Sequence, residues 1–546
     1  MQTSQNHKIS YGSGGFYVEP VQNLESYCLP SSENIDNYSS SDNSSQTTYP
    51  SVQTLEQYCT LESASTSNSF PCQNSPPALS FSSNNSPLSK IESTSYVLRP
   101  QHSLEIASGP PENDPYAILD LDDLSHKMRE LETAMLGPNV DMLDIYGALM
   151  PGEADSILLE AEKWKKMMEM VSRGDLKEML YTCAKAMAVN DMETTEWMMS
   201  ESRKMVSVSG NPIQRLGAYI VESLVARMAD SGSTIYKSLK CSEPTGNELL
   251  SYMHVLYEVC PYFKFGYLSA NGAIAEALKE ESEVHIIDFQ ISQGTQWVSL
   301  IHALAHRPGG PPKIRISGVD DSFSSYARGG GLDIVGKRLS ALAESCNVPF
   351  EFNAVRVPAS QVQLKDLELR PYEAVAVNFA IMLHHVPDAS VNGHNHRDRL
   401  LRLAKHLSPK VVTLVEQEFN TNNAPFLQRF VETMNYYLAV FDSIDAARPR
   451  EDKERINVEQ HCLAREVVNL IACEGEERVE RHELLNKWRM RFTDAGFSPY
   501  PLNSFINSSI KDLLQSYHGH YTLEEKDGAL FLGWKNQVLI ASCAWR

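Results

Sequence analysis

The residues best placed for chemistry are an aspartate at the end of an apolar run and the loop behind it. Val284-His285-Ile286-Ile287-Asp288 reads as a short buried strand, and Phe289-Gln290-Ile291-Ser292-Gln293-Gly294 follows. In a nucleotide-type cofactor site such a strand leads into a D-x-G-x-G loop, where glycine lets the backbone approach the ligand without a clashing Cβ. Here bulky residues replace the early glycines and only Gly294 remains. Asp320 follows a second run, Lys313 to Val319, where an acid would hold a ribose hydroxyl. A further run ends Asn378-Phe379-Ala380-Ile381, where an amino-methylating enzyme would carry N-P-P-Y, and only the Asn matches. The plainer role for Asp288 and Asp320 is to cap the helix after each strand by accepting its first backbone N–H groups. A retained pocket, empty or turned to another ligand, is the alternative.

Other chemistry-bearing residues do not assemble from spacing. The ten cysteines include no C-x-x-C pair. His461, Cys462, Cys473 and His482 lie close in sequence but fall in a helical stretch without ligand periodicity, which argues against a metal site. His384-His385, with His394 and His396 beyond, follow a strand in a polar stretch around Gly393 and read as a mobile connection. No Ser-His-Asp or Cys-His arrangement and no phosphate-binding Walker loop is present. Basic clusters are small: Lys163 to Lys166 around Trp164, Arg448 to Arg455 broken by acids, and Lys487-Trp488-Arg489-Met490-Arg491. The last mixes aromatic and basic residues as a nucleic-acid contact can, but it also matches the solvated face of a helix ending before Gly496.

The elements that must position these residues change character along the chain. From about residue 154 the pattern is helical: Ile157–Met170, Leu176–Val189 behind an Asp175 cap, Thr194–Val206, Pro212–Met228, Gly246–Val259 and Phe263–Ala277. These six helices read as a cap. Strands then alternate with helices: Val284–Asp288, Lys313–Val319, Phe350–Val355, Ala374–Asn378 and Val411–Val415, with Phe426–Asp445 the last long helix. Alternation of this kind means a parallel sheet covered on both faces. Leu530–Trp534 and Val538–Ala541 flank Lys535-Asn536-Gln537 as a hairpin closing one sheet edge. The expected fold is α/β: a Rossmann-like, methyltransferase-like, mostly parallel sheet with an α-helical cap.

Residues 1 to 110 are a different material. About a quarter of them are serine, with much Asn, Gln and Pro, too little apolar surface to offset chain entropy, so a disordered tail is expected. V-Q-x-L-E-x-Y-C occurs twice in it, from Val21 and from Val52, as a docking motif used twice or as duplication drift. Between the tail and the cap, 111–167 reads as a linker with an amphipathic helix from Asp114 to Gly137 beside Asp120, Asp122 and Asp123. The acidic excess, 69 against 48 basic residues for a net charge of −21, works against direct nucleic-acid binding. No apolar leader and no run of about 20 apolar residues is present, so an intracellular protein without a membrane span is expected.

Five ordered motifs resemble the plant GRAS (scarecrow-like) family. Val284, His285, Ile286, Ile287 and Asp288 match its VHIID signature letter for letter. Pro425, the Tyr437 to Phe441 stretch and Arg465-Glu466 fall where its PFYRE elements lie, Arg478-Val479-Glu480 resembles its R-V-E segment, and Ser542, Ala544 and Trp545 resemble its SAW motif with Cys543 interposed. The resemblance covers 168–546, divided as leucine-rich region I about 175–235, VHIID region 253–318, leucine-rich region II 335–367, PFYRE 376–470 and SAW 473–546. The lead-in Lys163 to Met170 resembles the branch named for phytochrome A signal transduction. What the resemblance implies is a non-enzymatic transcriptional co-regulator without a cofactor, nuclear and also cytoplasmic, in light or hormone signalling. Implied partners are other GRAS chains, as homo- or heterodimers through apolar surface on the leucine-rich helices and cap, and DNA-binding factors such as indeterminate-domain zinc-finger proteins. The rival readings are a methyltransferase using S-adenosylmethionine and a small-ligand receptor using the same cleft.

Overall fold

The computed structural model describes residues 151–232, 234–320 and 331–546. The repeated tail motif and the 114–137 segment lie outside them. Two compact units divide the chain, one taking the described residues up to Met179 and the other those from Leu180 to Arg546.

The first unit contains α1 (Pro151–Arg173) and the opening turn of α2 (Leu176–Ala188). Asp175 does cap that turn: its Oδ1 accepts the Glu178 N–H at 3.1 Å. The second unit continues through α3 (Met192–Met205), α4 (Pro212–Met228), the four-residue α5 (Ile235–Ser238), α6 (Gly246–Val259) and α7 (Tyr262–Ala277). α4 begins where the chain is built to start a helix. Pro212 sets φ at the first position, and Asn211 and Gln214 satisfy each other's backbone N–H groups in a capping box. Eleven of its side chains, from Arg215 to Ala226, are buried, so it is the central helix of the cap.

The α/β part then runs β1 (Glu283–Asp288), α8 (Thr295–Ala305), β2 (Lys313–Val319), α9 (Leu332–Ser345), β3 (Phe350–Val355) and β4 (Ala374–Ala380). It continues with α10 (Ala389–Asn392), α11 (His396–His406), β5 (Val411–Gln417), α12 (Phe426–Asp445), α13 (Lys453–Val458), a π-turn at Glu459–Leu463 and α14 (Ala464–Ala472). The last stretch is α15 (Leu485–Asp494), β6 (Pro499–Tyr500), α16 (Ser504–Leu514), β7 (Tyr521–Lys526), β8 (Ala529–Trp534) and β9 (Gln537–Trp545). The sheet order is β3-β2-β1-β4-β5-β9-β8-β7, with β6 paired to β9. β1 to β5 are parallel, and β9 enters antiparallel beside β5. Strand order therefore reverses between β1 and β4, the place where doubly wound sheets open a crevice at their carboxyl ends.

β1 is buried on both faces, which is why it reads as a continuous apolar run. Val284 and Ile286 join Trp297, Leu300, Val335 and Leu339 in one core, and Ile287 joins Phe379, Leu400, Trp488 and Phe492 in the other. Leucine-rich region II thus supplies core: Val335, Leu339 and Leu342 of α9 pack onto the sheet rather than presenting apolar surface. Leu180, Leu216 and Leu224 of region I are also fully buried. These leucines build core, and the large apolar side chains exposed in region I are Tyr181, Val189 and Met192.

Two further differences concern edges. The hairpin β8–β9 turns at Lys535-Asn536, with Trp534 already paired to Gln537, and Lys535 takes the left-handed conformation such a turn requires (φ 52°). It does not close the sheet, because β7 adds one more strand outside β8. β7 escapes a hydrophobic-pattern reading because Glu524, Glu525 and Lys526 fill its second half, the charged protection expected of an edge.

Candidate functional site at the carboxyl ends of the central strands

Parallel pairing sets Asp288 level with Gly318 on β2 and Asn378 on β4. Asp288 is 2% exposed, and three protein donors reach its carboxylate. Oδ2 accepts the Trp297 indole N–H at 2.8 Å, and Oδ1 accepts the Gln290 backbone N–H and the Asn378 amide, each at 3.2 Å. The network continues inward. Gln296 and Asn378 exchange amide hydrogen bonds at 3.1 and 3.3 Å, Thr413 donates to Asn378 Oδ1 at 2.8 Å, and Asn271 of α7 donates to the Gln296 carbonyl at 2.8 Å. Burial pushes Asp288 up to about 6 against the pull of these donors, with Asp320 adding to the rise. The capping role is not what Asp288 performs: Gly294 holds the N-cap position of α8, and no side chain caps that helix. Asp288 instead ties the loop, α8 and β4 together.

The loop after β1 packs back onto the end of β2. Ile291, 3% exposed, donates its backbone N–H to Val319 and lies over Gly318. A Cβ on Gly318 would sit 2.8 Å from Ile291 Cδ1 and 2.9 Å from Phe352 Cζ. Gly294 is kept for its left-handed φ of 74° and for α9, since a Cβ there would meet Val335 at 2.8 Å. Ser292 holds φ 49°, a conformation in which a glycine would be relaxed. Phe289 stacks on Phe379 at 4.9 Å. Asp320 is buried at 5%. Gly318 and Gly294 are therefore packed against the chain's own side chains.

A second polar cluster lies past β4 and β5. Contrary to the mobile connection expected for His384-His385, His384 is 2% exposed. Its Nδ1 lies 2.6 Å from Glu416 Oε2, while Glu416 Oε1 accepts the Met382 and Leu383 N–H groups. Its ring stacks on His482 at 4.3 Å, and His482 stacks on Phe419 at 4.1 Å. His385 Nε2 lies 3.2 Å from Glu480 Oε1, and Tyr437 donates to Glu466, which burial and the neighbouring Glu480 push up to about 7. Ligand atoms of His384, Glu480 and His482 come within 4.8 Å of one another. The two imidazole planes are only 18° apart, so stacked rings cannot both aim an in-plane lone pair at one tetrahedral ion. His461, Cys462 and Cys473 do not join His482; His461 stacks on Tyr252 at 5.3 Å. His394 and His396 form a separate ring pair at 5.9 Å.

The motif residues are mostly structural in the same way. His285 accepts from Arg315 at Nδ1 (3.0 Å), and its Nε2 lies 2.7 Å from Ser317 Oγ; burial and Arg315 lower it to about 4, so it is neutral. Arg315 in turn pairs with the buried Glu373. Pro425 leads into α12. Arg465 lies over the Tyr236 ring at 5.0 Å. Arg478 donates to the carbonyls of Thr421, Asn422 and Glu480, strapping Val479 and the segment around it across the strand ends. Ser542 bonds Ser269 at 2.7 Å, Ala544 is buried in β9, and Trp545 stacks on Phe492 at 5.0 Å. In the mixed basic stretch, Trp488 is fully buried and Arg491 is spent on Glu483, Asp388 and Asp398. Asn271, Gln296, Trp297, Glu416 and Gln417, the last 2.7 Å from His482 Nε2, were not legible as partners, because α7, α8 and β5 bring them to the site only through tertiary packing.

A family model described as the GRAS domain family matches residues 176–546, the whole α/β part and its cap. The chain belongs to the GRAS family. Scarecrow-like protein 5 of Arabidopsis thaliana is 65% identical over 425 residues, covering 78% of this chain and 70% of its own. Scarecrow-like transcription factor PAT1 of the same plant is 63% identical over 428 residues, covering 78% and 87%. The crystal structure of SCL7 from Oryza sativa superposes with a TM-score of 0.61 at 34% identity, over 68% of this chain and 99% of that one. The GRAS domain thus has the methyltransferase-like, mostly parallel sheet and cap described above, and GRAS membership puts the chain among plant transcriptional regulators. Among the described residues no helix is long and apolar enough to cross a membrane.

Proposed function

We propose that this GRAS chain is a nuclear transcriptional co-regulator that works by protein–protein contact and performs no methyl transfer. The observation that carries the reading is the filled loop: Ile291 occupies the space over Gly318, and the Asp288 carboxylate is spent on Trp297, Asn378 and Gln290. A polar site whose donors and acceptors already satisfy one another has little left for a ligand. The proposed partners are DNA-binding factors such as indeterminate-domain zinc-finger proteins and other GRAS chains, as homo- or heterodimers. Direct DNA contact is not part of the proposal, because a net charge of −21 opposes phosphate binding. A role in light or hormone signalling, a place in the phytochrome A branch and an additional cytoplasmic pool belong to the same proposal.

Calorimetric titration of the full chain with S-adenosylmethionine, beside capture by an immobilised indeterminate-domain zinc-finger protein, tests it. The expected result is no saturable heat and specific capture. Saturable cofactor binding would overturn the non-enzymatic reading and send the search to a methyl acceptor.

A further inference from the structure

The π-turn between α13 and α14 carries two polar side chains that the protein does not satisfy. Turns of this kind recur where a helix presents side chains to a ligand. This one spans Glu459–Leu463 and holds His461, and Arg465 follows four residues on in the first turn of α14. That spacing projects both side chains to one side of the helix. His461 is 8% exposed, and its Nδ1 has no hydrogen-bond partner. Arg465 is half-buried, and its guanidinium makes no hydrogen bond or ion pair among the described residues. Both groups meet one ring. Arg465 Cζ lies 5.0 Å from the ring centroid of Tyr236 on α5, and the His461 imidazole lies 6.2 Å from it. Tyr252 of α6 stacks on His461 at 5.3 Å. Cys241, also half-buried, lies beside Gln460 and in the field of Arg465.

Buried polar groups are ordinarily satisfied, and leaving one unmatched is costly. What both side chains require is an acceptor. Arg465 offers a planar fork that holds a carboxylate or a phosphate through two bonds. Burial keeps His461 below its usual range, so the ring is neutral and can present Nδ1–H. Charge selects between the two anions. Glu248 faces His461 but caps its own helix at Thr245. Glu466 and Glu480 lie in the field of Arg465; burial pushes Glu466 up to about 7, and Glu480 is met by His385. One guanidinium among these acids balances a monoanion and leaves a phosphate dianion in excess. The half-buried Tyr236 and Tyr252 rings give an apolar remainder a surface to rest on. We propose that His461 and Arg465, walled by Tyr236 and Tyr252, bind the carboxylate of a small organic acid. The site uses none of the residues at the ends of β1, β2 and β4, and it goes beyond the proposed function without depending on it.

Calorimetric titration of the full chain with benzoate, beside the isosteric but uncharged benzamide, tests the site without a mutation. Benzoate is expected to bind saturably, with benzamide roughly tenfold weaker or more. Bound benzoate should also slow alkylation of Cys241 by iodoacetamide, read by peptide mass spectrometry, while the half-buried Cys346 keeps its rate. Arg465→Gln should cut benzoate affinity roughly tenfold or more and remove the Cys241 protection, with Arg465→Lys between it and the wild type. An unchanged circular dichroism spectrum shows that either variant is folded; if neither folds, the benzamide comparison and the Cys241 rate still decide. Equal binding of benzoate and benzamide, equal protection of the two cysteines, or wild-type affinity in folded Arg465→Gln would overturn the proposal. So would the absence of saturable binding up to about 10 mM benzoate. Inorganic phosphate binding more tightly than benzoate would also overturn it, by giving the site to a phosphoryl group.

Discussion

Asp288 accepts three hydrogen bonds from three parts of the chain, the Gln290 backbone, the Trp297 indole and the Asn378 amide. Removing it would leave a buried indole N–H and a buried amide without their acceptor, which costs more than the bonds themselves contribute. Asp288→Ala is therefore expected to lower unfolding free energy by about 2–4 kcal/mol in urea denaturation, with partner capture reduced only in step with the folded fraction. A variant that kept its full stability yet lost capture would make this strand end a contact surface instead of a brace. At this scale Asp288, Gly294, Asp320 and Asn378 could be picked out from residue type and strand position. Their roles could not, because a carboxylate at a strand end looks the same whether it meets a ribose, a helix end or an indole.

α15 begins at a protein-made anion site. The carboxylate of Glu418, just past β5, accepts the Leu485 N–H at 2.8 Å at the first turn of the helix. Burial nonetheless pushes Glu418 up to about 7, against the pull of Leu485 and Arg489. A folded-state value above the unfolded one means that the native protein holds the proton more tightly. The stability this contributes is complete in acid and is lost as pH rises from the ordinary carboxylate range through about 7. Glu418→Gln keeps an acceptor for Leu485 and never ionises. Its unfolding free energy should therefore gain on the wild type between about pH 5 and pH 8, by an amount on the order of 1–2 kcal/mol, read by urea denaturation at each pH. A difference that stays flat with pH would show that Glu418 titrates normally. Elements of this kind were largely legible in the sequence: Pro212–Met228, Gly246–Val259, Lys313–Val319, Phe350–Val355 and Phe426–Asp445 have the same bounds in both readings. The two strands that escaped, β6 and β7, are a two-residue pair and a charged edge, neither of which carries an apolar period.

Across the second unit, the cap is joined to the later helices by buried charge. Arg215 of α4 is fully buried and reaches Glu459 at 3.1 Å, Asp445 at 2.6 Å and the Phe441 carbonyl at 3.0 Å. Glu459 opens the π-turn and is shared with Arg455, itself 1% exposed. Arg215→Ala would leave Glu459 with one partner in a fully buried site. It should cost about 3–5 kcal/mol by chemical denaturation, against less than about 1 kcal/mol for breaking the exposed Arg356–Asp333 pair. Equal effects would mean that the cap is held by its leucines alone.

The sequence by itself determined the class and order of this molecule: six cap helices, five parallel strands, a terminal antiparallel pair and the five GRAS motifs. Those features are local, written in periods of 3.6 and in short apolar runs, and need no knowledge of distant neighbours. Only the tertiary structure decided what the motifs are for. Ile291 is unremarkable until β2 brings Gly318 beneath it. His384, Glu416 and His482 are separated by 32 and 66 residues and become one stack only when β4, β5 and the strap after α14 meet. Burial and hydrogen-bond satisfaction are properties of non-local packing, so the same letters that spell a degraded cofactor loop also spell, once folded, the braces that hold strand ends and helices together.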